Sequence, residues 1–483
     1  MLQIDWLPNK KDTLPLYRQI YSYIKHEIRS GNWPISSKLP AQRSLAAIFK
    51  VNRSTVQAAI DELIADGLLE SKQGSGIWIA NNTWSLFSPP EQIDWNFYVE
   101  SSTYRPNLPL IQEINRTEFK QNIIRLGTGE LAPDLLPHEE LTSLMQKTAG
   151  NIKSFGYEQP QGLLFLREQL CIHLRKNGIN VSPRSILIVS GALQALQLIC
   201  LGLLPKDSKI LLENPSYLLS LPLFQSMQVD FAEVPLDAEG INLHTLAYQQ
   251  RLKKAALLYT IPTFHNPTSI LMSEQRRHDL LQLCRENRLP ILEDDVYRDL
   301  WLDGPAPPPL KAMDQDGLVL YIGSLSKAVS PGLRIGWVVG PEPVIEKLAD
   351  MKMQNDYGSS CLSQYAAAEW FASGLHENHL RRVRTALCLK RQTCLDALTQ
   401  YFKDIASWQI PAGGFYVWLK LKEPISLPKL FKMALAENIL LNPGSIYDPL
   451  SNRHLRLSYS YASSSELRSA LKRVATMIKQ LNK

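Results

Sequence analysis

From about Phe119 to Lys483, short apolar runs rich in β-branched residues alternate with amphipathic stretches of helical period. This alternation sets the fold class. The runs SILIVS, KILLEN, AALLYTIP, PILEDD, LVLYIGS and RIGWVVG are the expected strands. Strands that alternate with helices predict a mostly parallel sheet with helices on both faces. The last hundred residues change rhythm. A long helix around Glu377 to Leu398 is followed by GGFYVWLKL and HLRLSYSY as strands, which predicts a small α+β subdomain. Hydrophobic residues make up 45% of the 483 and charged residues 20%, so a large core can form. Disordered, collagen-like and disulfide-stapled classes are excluded.

The formal net charge is +6. Lys10 to Ile60 carries nine basic residues against two acids, a surplus of seven, and leaves the remainder near neutral. A compact basic module on a neutral body predicts a polyanion partner for the module alone. The six cysteines are scattered with no CxxC pair, as in a cytoplasmic protein with reduced thiols. No histidine cluster suggests a metal. Ser185 to Pro205 is uncharged and long enough to invite a membrane reading. Ser190-Gly191 and two glutamines interrupt it, so it reads as strand, glycine turn and helix, and no membrane partner is expected.

Residues 1–80 form one unit. LYRQIYSYIKHEIRSG places Leu16, Ile20, Ile24 and Ile28 on one helical face and ends at Gly31. SLAAIFK is a second helix. NRSTVQAAIDELIADG is a third, capped by Asn52 or Ser54, stopped by Gly67, and burying Val56, Ile60, Leu63 and Ile64. LLESKQGSGIWIA reads as two strands around Gly74-Ser75-Gly76. Three helices followed by a hairpin make a winged helix-turn-helix. Residues 81–118 carry Pro89, Pro90, Pro106 and Pro109 without a clean period and read as a linker. Its aromatics (Trp84, Phe87, Trp95, Phe97, Tyr98) predict that it packs against something. Residues 119–483 are the large body.

KLPAQRSLAAIFKVNRSTVQAAIDELIADGLL resembles the DNA-binding domain of GntR-type regulators. The matching elements are Lys38-Leu39-Pro40, Arg43, the Val51-x-Arg53-x-Thr55-Val56 core and the Gly74/Gly76 wing. Pro-Ala-Gln-Arg stands where many members have Pro-Ser-Glu-Arg. A recognition helix presents its first residues to base edges in the major groove of double-stranded DNA. Here those are Arg53, Ser54 and Thr55. Arg43 at the start of the second helix, Lys72 and Gly74 in the wing complete the expected DNA contacts.

The most specific motif is GSLSKAVSPGLRIGW, holding Ser324, Ser326, Lys327 and Arg334. An aldehyde cofactor needs one lysine, and its phosphate needs hydroxyls and an arginine close by. The segment resembles the lysine region of fold-type I pyridoxal-phosphate enzymes, the aspartate aminotransferase class. The resemblance implies a role for several further residues. Gly191, Ala192 and Leu193 would meet the phosphate at a helix start. Tyr217 would stack on the ring, and Asn266 would bond the ring hydroxyl oxygen. Ser269 replaces the glycine of the NPTG motif. Asp294 would pair with the ring nitrogen, Asp295 being the competing choice, and Tyr297 would contact the ring hydroxyl. Tyr157 would reach the phosphate across a dimer interface. Arg456 would grip a substrate carboxylate.

Together the two resemblances identify the chain as a member of the MocR subfamily of bacterial regulators. They imply an α/β fold: a winged helix-turn-helix, then a type I aminotransferase body that binds pyridoxal 5'-phosphate. They also imply a cytoplasmic head-to-tail homodimer that binds an operator and senses a small amino compound, with little or no sustained transaminase turnover. A working aminotransferase that carries a DNA-binding domain is the rival. A sensor of pyridoxal phosphate itself is a third reading.

Overall fold

The computed structural model describes residues 4–29, 32–34, 37–72, 76–80, 95–102, 104, 106–152 and 156–482. The expected sites at Gly74 and Gly31, and the linker residues Trp84 and Phe87, lie outside the described residues. The chain divides into two compact units, Met1–Ser102 and Thr103–Lys483.

The first unit carries helices Leu16–Arg29, Gln42–Phe49 and Arg53–Ala65. Ile20, Ile24, Ile28, Leu45, Phe49, Val56, Ala59, Ile60 and Leu63 close its core. Each of these except Ala59 contributes roughly 1.5–3 kcal/mol on burial. Asn52 is the N-cap of the third helix, so Ser54 lies inside it, and Gly67 follows the helix at φ 70°. Leu69–Lys72 and Gly76–Ile79 pair antiparallel with Lys72 opposite Gly76. The charge surplus is smaller than the first sixty residues suggest. Counted to residue 80, ten basic residues face seven acids. Arg18 meets Glu62 at 3.8 Å, Lys25 meets Asp66 at 3.2 Å and Lys72 meets Glu70 at 2.8 Å.

The second unit is built on an eight-stranded sheet. Its order is Ile186–Val189, Gly336–Val339, Val319–Ser324, Ile291–Asp294, Leu257–Thr260, Lys209–Asn214, Asp230–Asp237 and Gly240–Ile241. The four pairings from Val319–Ser324 to Asp230–Asp237 are parallel. Gly336–Val339 runs against both neighbours, and Gly240–Ile241 pairs antiparallel at the edge. The central parallel strands Val319–Ser324, Ile291–Asp294 and Leu257–Thr260 are buried at every position, as strands with helices on both faces are. Ser185 to Pro205 resolves into strand Ile186–Val189 and helix Ala192–Leu203, and no described helix is long and apolar enough to cross a membrane.

The small subdomain pairs Ala406–Ser407, Tyr416–Leu421 and His454–Ser458 antiparallel. Helix Leu375–Phe402 and helix Ser464–Leu481 pack around it. The segment read as a linker is partly helical. Trp95–Ser101 and Pro109–Thr117 are helices, and the latter belongs to the second unit. Trp95, Phe97 and Tyr98 are more than half exposed, and the Tyr98 ring meets both Trp95 and Phe97.

Candidate functional site

Five loops leave the carboxyl ends of neighbouring sheet strands, where ligands of open α/β sheets bind. Val189 leads to Gly191, Asn214 to Tyr217, Thr260 to Asn266, Asp294 to Tyr297, and Ser324 to Lys327. They converge on a cavity of about 350 Å³. Its wall includes Ala192, Leu193, Tyr217, Asn266, Asp294 and Tyr297. Ser324, Ser326, Lys327, Arg334 and Arg456 are also on it, whereas the predicted Gly191 and Tyr157 are not. Strand His454–Ser458 of the small subdomain supplies Arg456, so the cavity is closed from both parts of the second unit.

Lys327 Nζ donates to the Gly129 carbonyl at 2.7 Å and stands 6.0 Å from the Tyr297 ring centre. The Tyr297 and Tyr416 hydroxyls are 3.0 Å apart. Asp294 accepts from the Tyr259 hydroxyl at 2.8 Å. Its other oxygen, Oδ1, is buried without a partner. Asp295 turns the other way and pairs with Arg298, so Asp294 is the one of the two on the cavity wall. Arg456 donates to Asn266 Oδ1 at 2.9 Å and to the Gly127 carbonyl at 2.6 Å. Its guanidinium lies over Tyr416 at 4.2 Å and Tyr447 at 4.8 Å.

The phosphate end is built from short-range contacts. Ser324 Oγ bonds Ser326 Oγ at 3.0 Å and receives the Ser326 N–H at 3.1 Å. Arg334 Nη2 donates to the Ser190 carbonyl at 2.8 Å. Gly191 lies beneath Arg334 and caps helix Ala192–Leu203 with φ 88° and ψ 164°, backbone angles open almost only to glycine. A Cβ there would sit 2.6 Å from Arg334 Nη2. Gly191→Ala is therefore expected to cost about 1–3 kcal/mol and to displace the guanidinium. Thermal melting and cofactor titration check both effects.

These residues fit pyridoxal phosphate. The orphaned Asp294 Oδ1 suits a protonated ring nitrogen, and Arg334, Ser324 and Ser326 suit a phosphate. Burial pushes the Asp294 carboxyl up to about 6, and the Tyr259 hydroxyl opposes the shift. A raised acid stabilises the fold below its unfolded pKa, and that contribution is lost as pH rises through the folded value. Cofactor-free protein should thus lose stability relative to Asp294→Asn between about pH 4 and about pH 6, by on the order of 3 kcal/mol. Melting curves of both proteins across that window measure it.

Some placements differ from expectation. Tyr157 is 81% exposed, rests against Tyr357 at 4.8 Å and is not on the cavity wall. Ser269 is at φ 59°, where glycine would be easier, and its hydroxyl is held by the Tyr416 carbonyl at 2.7 Å. Tyr259, Tyr416, Tyr447, Glu118 and Glu130 join the site and were not anticipated. A histidine cluster also exists after all: His173, Asp299 and His376 bring ligand atoms within 4.8 Å of one another. The Trp370 indole N–H donates to His376 Nδ1 at 3.0 Å, so the neutral ring carries its proton on Nε2, 3.4 Å from Asp299. That proton occupies the lone pair a metal would need.

In the first unit, Arg43, Arg53 and Ser54 are exposed at the starts of the second and third helices, with Thr55 half-buried behind them. Lys72 lies over the Trp78 ring at 5.1 Å besides its pairing with Glu70.

Residues 121–474 match the family model of aminotransferase class I and II, and residues 16–79 match that of bacterial regulatory proteins of the gntR family. The HTH-type transcriptional regulator YisV of Bacillus subtilis is 50% identical over 476 residues, covering 99% of this chain and 98% of the relative. The HTH-type transcriptional regulator NorG of Staphylococcus aureus is 36% identical over 456 residues, covering 92% of this chain and 100% of the relative. Among solved structures, the kynurenine aminotransferase of Pyrococcus horikoshii, in complex with PMP, superposes with a TM-score of 0.74 at 29% identity, over 78% of this chain and 96% of that one. LysN, the alpha-aminoadipate aminotransferase of Thermus thermophilus, complexed with N-(5'-phosphopyridoxyl)-L-leucine, gives 0.74 at 29% identity, over 81% of this chain and 99% of that one. The chain thus belongs to the HTH-type transcriptional regulators that join a gntR-family reader to an aminotransferase class I and II body, the MocR arrangement.

Proposed function

We propose that this chain is a pyridoxal-phosphate-dependent transcription regulator whose body senses an amino compound and whose reader holds an operator. The observation that carries the reading is the convergence of Lys327, Asp294 and Arg456 on one cavity, in a chain that begins with a gntR-type reader. When bound, the cofactor supplies an aldehyde that combines with primary amines. Asp294 would face its ring nitrogen, while Arg334, Ser324 and Ser326 would hold its phosphate. Lys327 presents the amine with which an effector competes. Arg456 orients the effector by its carboxylate, a task suited to a planar fork of donors.

Effector binding that favours one arrangement of the body shifts the readers of a homodimer and so changes operator affinity. A head-to-tail dimer fits the exposure of Tyr157, which is free to serve a partner subunit's phosphate end. Arg53 would read a base edge. Arg53→Ala should weaken operator binding by about 1–3 kcal/mol and leave cofactor absorbance untouched. Fluorescence anisotropy with labelled operator, beside a spectrum of the same sample, checks both.

A second reading keeps transaminase turnover, because Lys327, Asp294 and Arg456 are all in place and a freed lysine amine can move protons. Steady-state assays with amino donors and keto acceptors separate the two. Sustained turnover favours the enzyme, and none favours the sensor.

A further inference from the structure

The cofactor cavity opens into a second chamber of about 640 Å³. Glu118, Gly129, Leu193, Tyr217, Tyr447 and Arg456 line both. Arg456 marks the junction. It is only 6% exposed, and its Nε is buried without a partner.

The cofactor-cavity wall carries three basic residues, Lys327, Arg334 and Arg456, and three acids, Asp294, Glu118 and Glu130, but not all of them have a role. In the reading above, Arg334 serves the phosphate, Asp294 the ring nitrogen, Lys327 the aldehyde and Arg456 an effector carboxylate. Two carboxylates on the wall remain, Glu118 and Glu130. Glu118 accepts from the Thr128 hydroxyl at 3.3 Å and has Arg125 at 4.0 Å. Arg125 is itself held over the Tyr461 ring at 4.5 Å. The Glu130 carboxylate has no hydrogen bond or ion pair among the described residues. Burial, and then the neighbouring Glu130, push the Glu118 carboxyl up, as expected of two acids that share too little positive charge. Beyond them the chamber wall mixes aliphatic residues, among them Ile111, Ile114, Leu223 and Leu440, with polar ones such as Asn115 and Gln197.

A site with a carboxylate clamp, a roomy adjoining chamber and two carboxylates left without a role matches one ligand chemistry. We propose that the effector is a diamino carboxylic acid. Its carboxylate meets Arg456, one amine faces Lys327, and the second ammonium lies against Glu118 and Glu130. The two glutamates are then specificity-determining residues. The assignment rests on the sensor reading above.

The test uses the cofactor-loaded full-length chain, calorimetry, and operator anisotropy. L-ornithine and L-lysine are compared with their monoamino counterparts, L-norvaline and L-norleucine. The diamino acids should bind wild type at least about tenfold more tightly, the ratio that one charge-assisted contact sustains. In Glu118→Gln combined with Glu130→Gln, that ratio should fall towards one. Cofactor absorbance and melting temperature first show that the variant is folded and loaded. The wild-type comparison decides the matter even where the variant is lost. Equal binding of the two classes, or a preference that survives in the variant, overturns the diamino assignment alone. Silence from all four compounds in both readouts also overturns it, and the sensor reading is then decided separately by titration with other amino compounds.

Discussion

Lys327→Ala is expected to abolish the visible absorbance of the cofactor-loaded protein and its response to amino compounds, while operator binding stays measurable. Among the described residues Lys327 is the one lysine on the cavity wall, and its Nζ is held inward by the Gly129 carbonyl at 2.7 Å. Alanine removes the amine and keeps the backbone of the turn. The rest of the wall, including Asp294 and Arg334, stays in place, so non-covalent cofactor binding can persist. The readers lie in a separate compact unit with its own core, so the loss is confined to the body. Absorbance after desalting, followed by anisotropy, measures the two halves of this prediction. A variant that keeps its absorbance contradicts the assignment of Lys327.

Arg456→Lys should have the next largest effect. The guanidinium spends one donor on Asn266 and one on the Gly127 carbonyl, and still has donors for a carboxylate. Its flat faces are filled by Tyr416 and Tyr447. Burial disfavours its charge, but an arginine guanidinium is not deprotonated in proteins, so it stays charged. A lysine keeps the charge but loses the fork and the stacking. Affinity for a carboxylate-bearing effector should drop by about 2–5 kcal/mol, roughly thirtyfold or more. A simple amine without a carboxylate should bind wild type and variant alike. Calorimetry with the two ligand types separates a lost clamp from a damaged cavity.

The parts of this site that sequence makes legible are those where one residue type answers one chemical need. Lys327 with Ser324, Ser326 and Arg334 is such a case. The Asp-x-x-Tyr spacing also separates Asp294 from Asp295, because successive strand residues face opposite sides and only one of the pair meets the cavity. The tyrosines were not legible for the converse reason. Tyr259 sits in an apolar strand, where an aromatic reads as core, and only the neighbouring strand Ile291–Asp294 brings Asp294 to its hydroxyl. Tyr416 and Tyr447 lie far along the chain from the residues they meet.

Glu118 was hidden by a boundary. Pro106 and Pro109 suggest a linker, yet proline at the first helical turn is compatible with helix, and Pro109–Thr117 is one. Strand Asp230–Asp237 escaped because its burial alternates and Pro235 interrupts its apolar pattern. The charge surplus of the first module was overstated because the window stopped before Asp61, Glu62, Asp66 and Glu70. What remains is a local asymmetry. Arg43 and Arg53 are exposed at helix starts and have no ion-pair partner among the described residues, while Arg18, Lys25 and Lys72 are paired elsewhere.

The central claim is that an amino compound bound beside Lys327 changes how tightly the readers hold DNA. The direct measurement is operator affinity of the cofactor-loaded full-length protein, titrated with amino compounds, for wild type and Lys327→Ala in parallel. The account predicts an affinity shift in wild type that is absent from the variant. An operator affinity that no amino compound moves, beside sustained turnover of amino donors and keto acceptors, would contradict it.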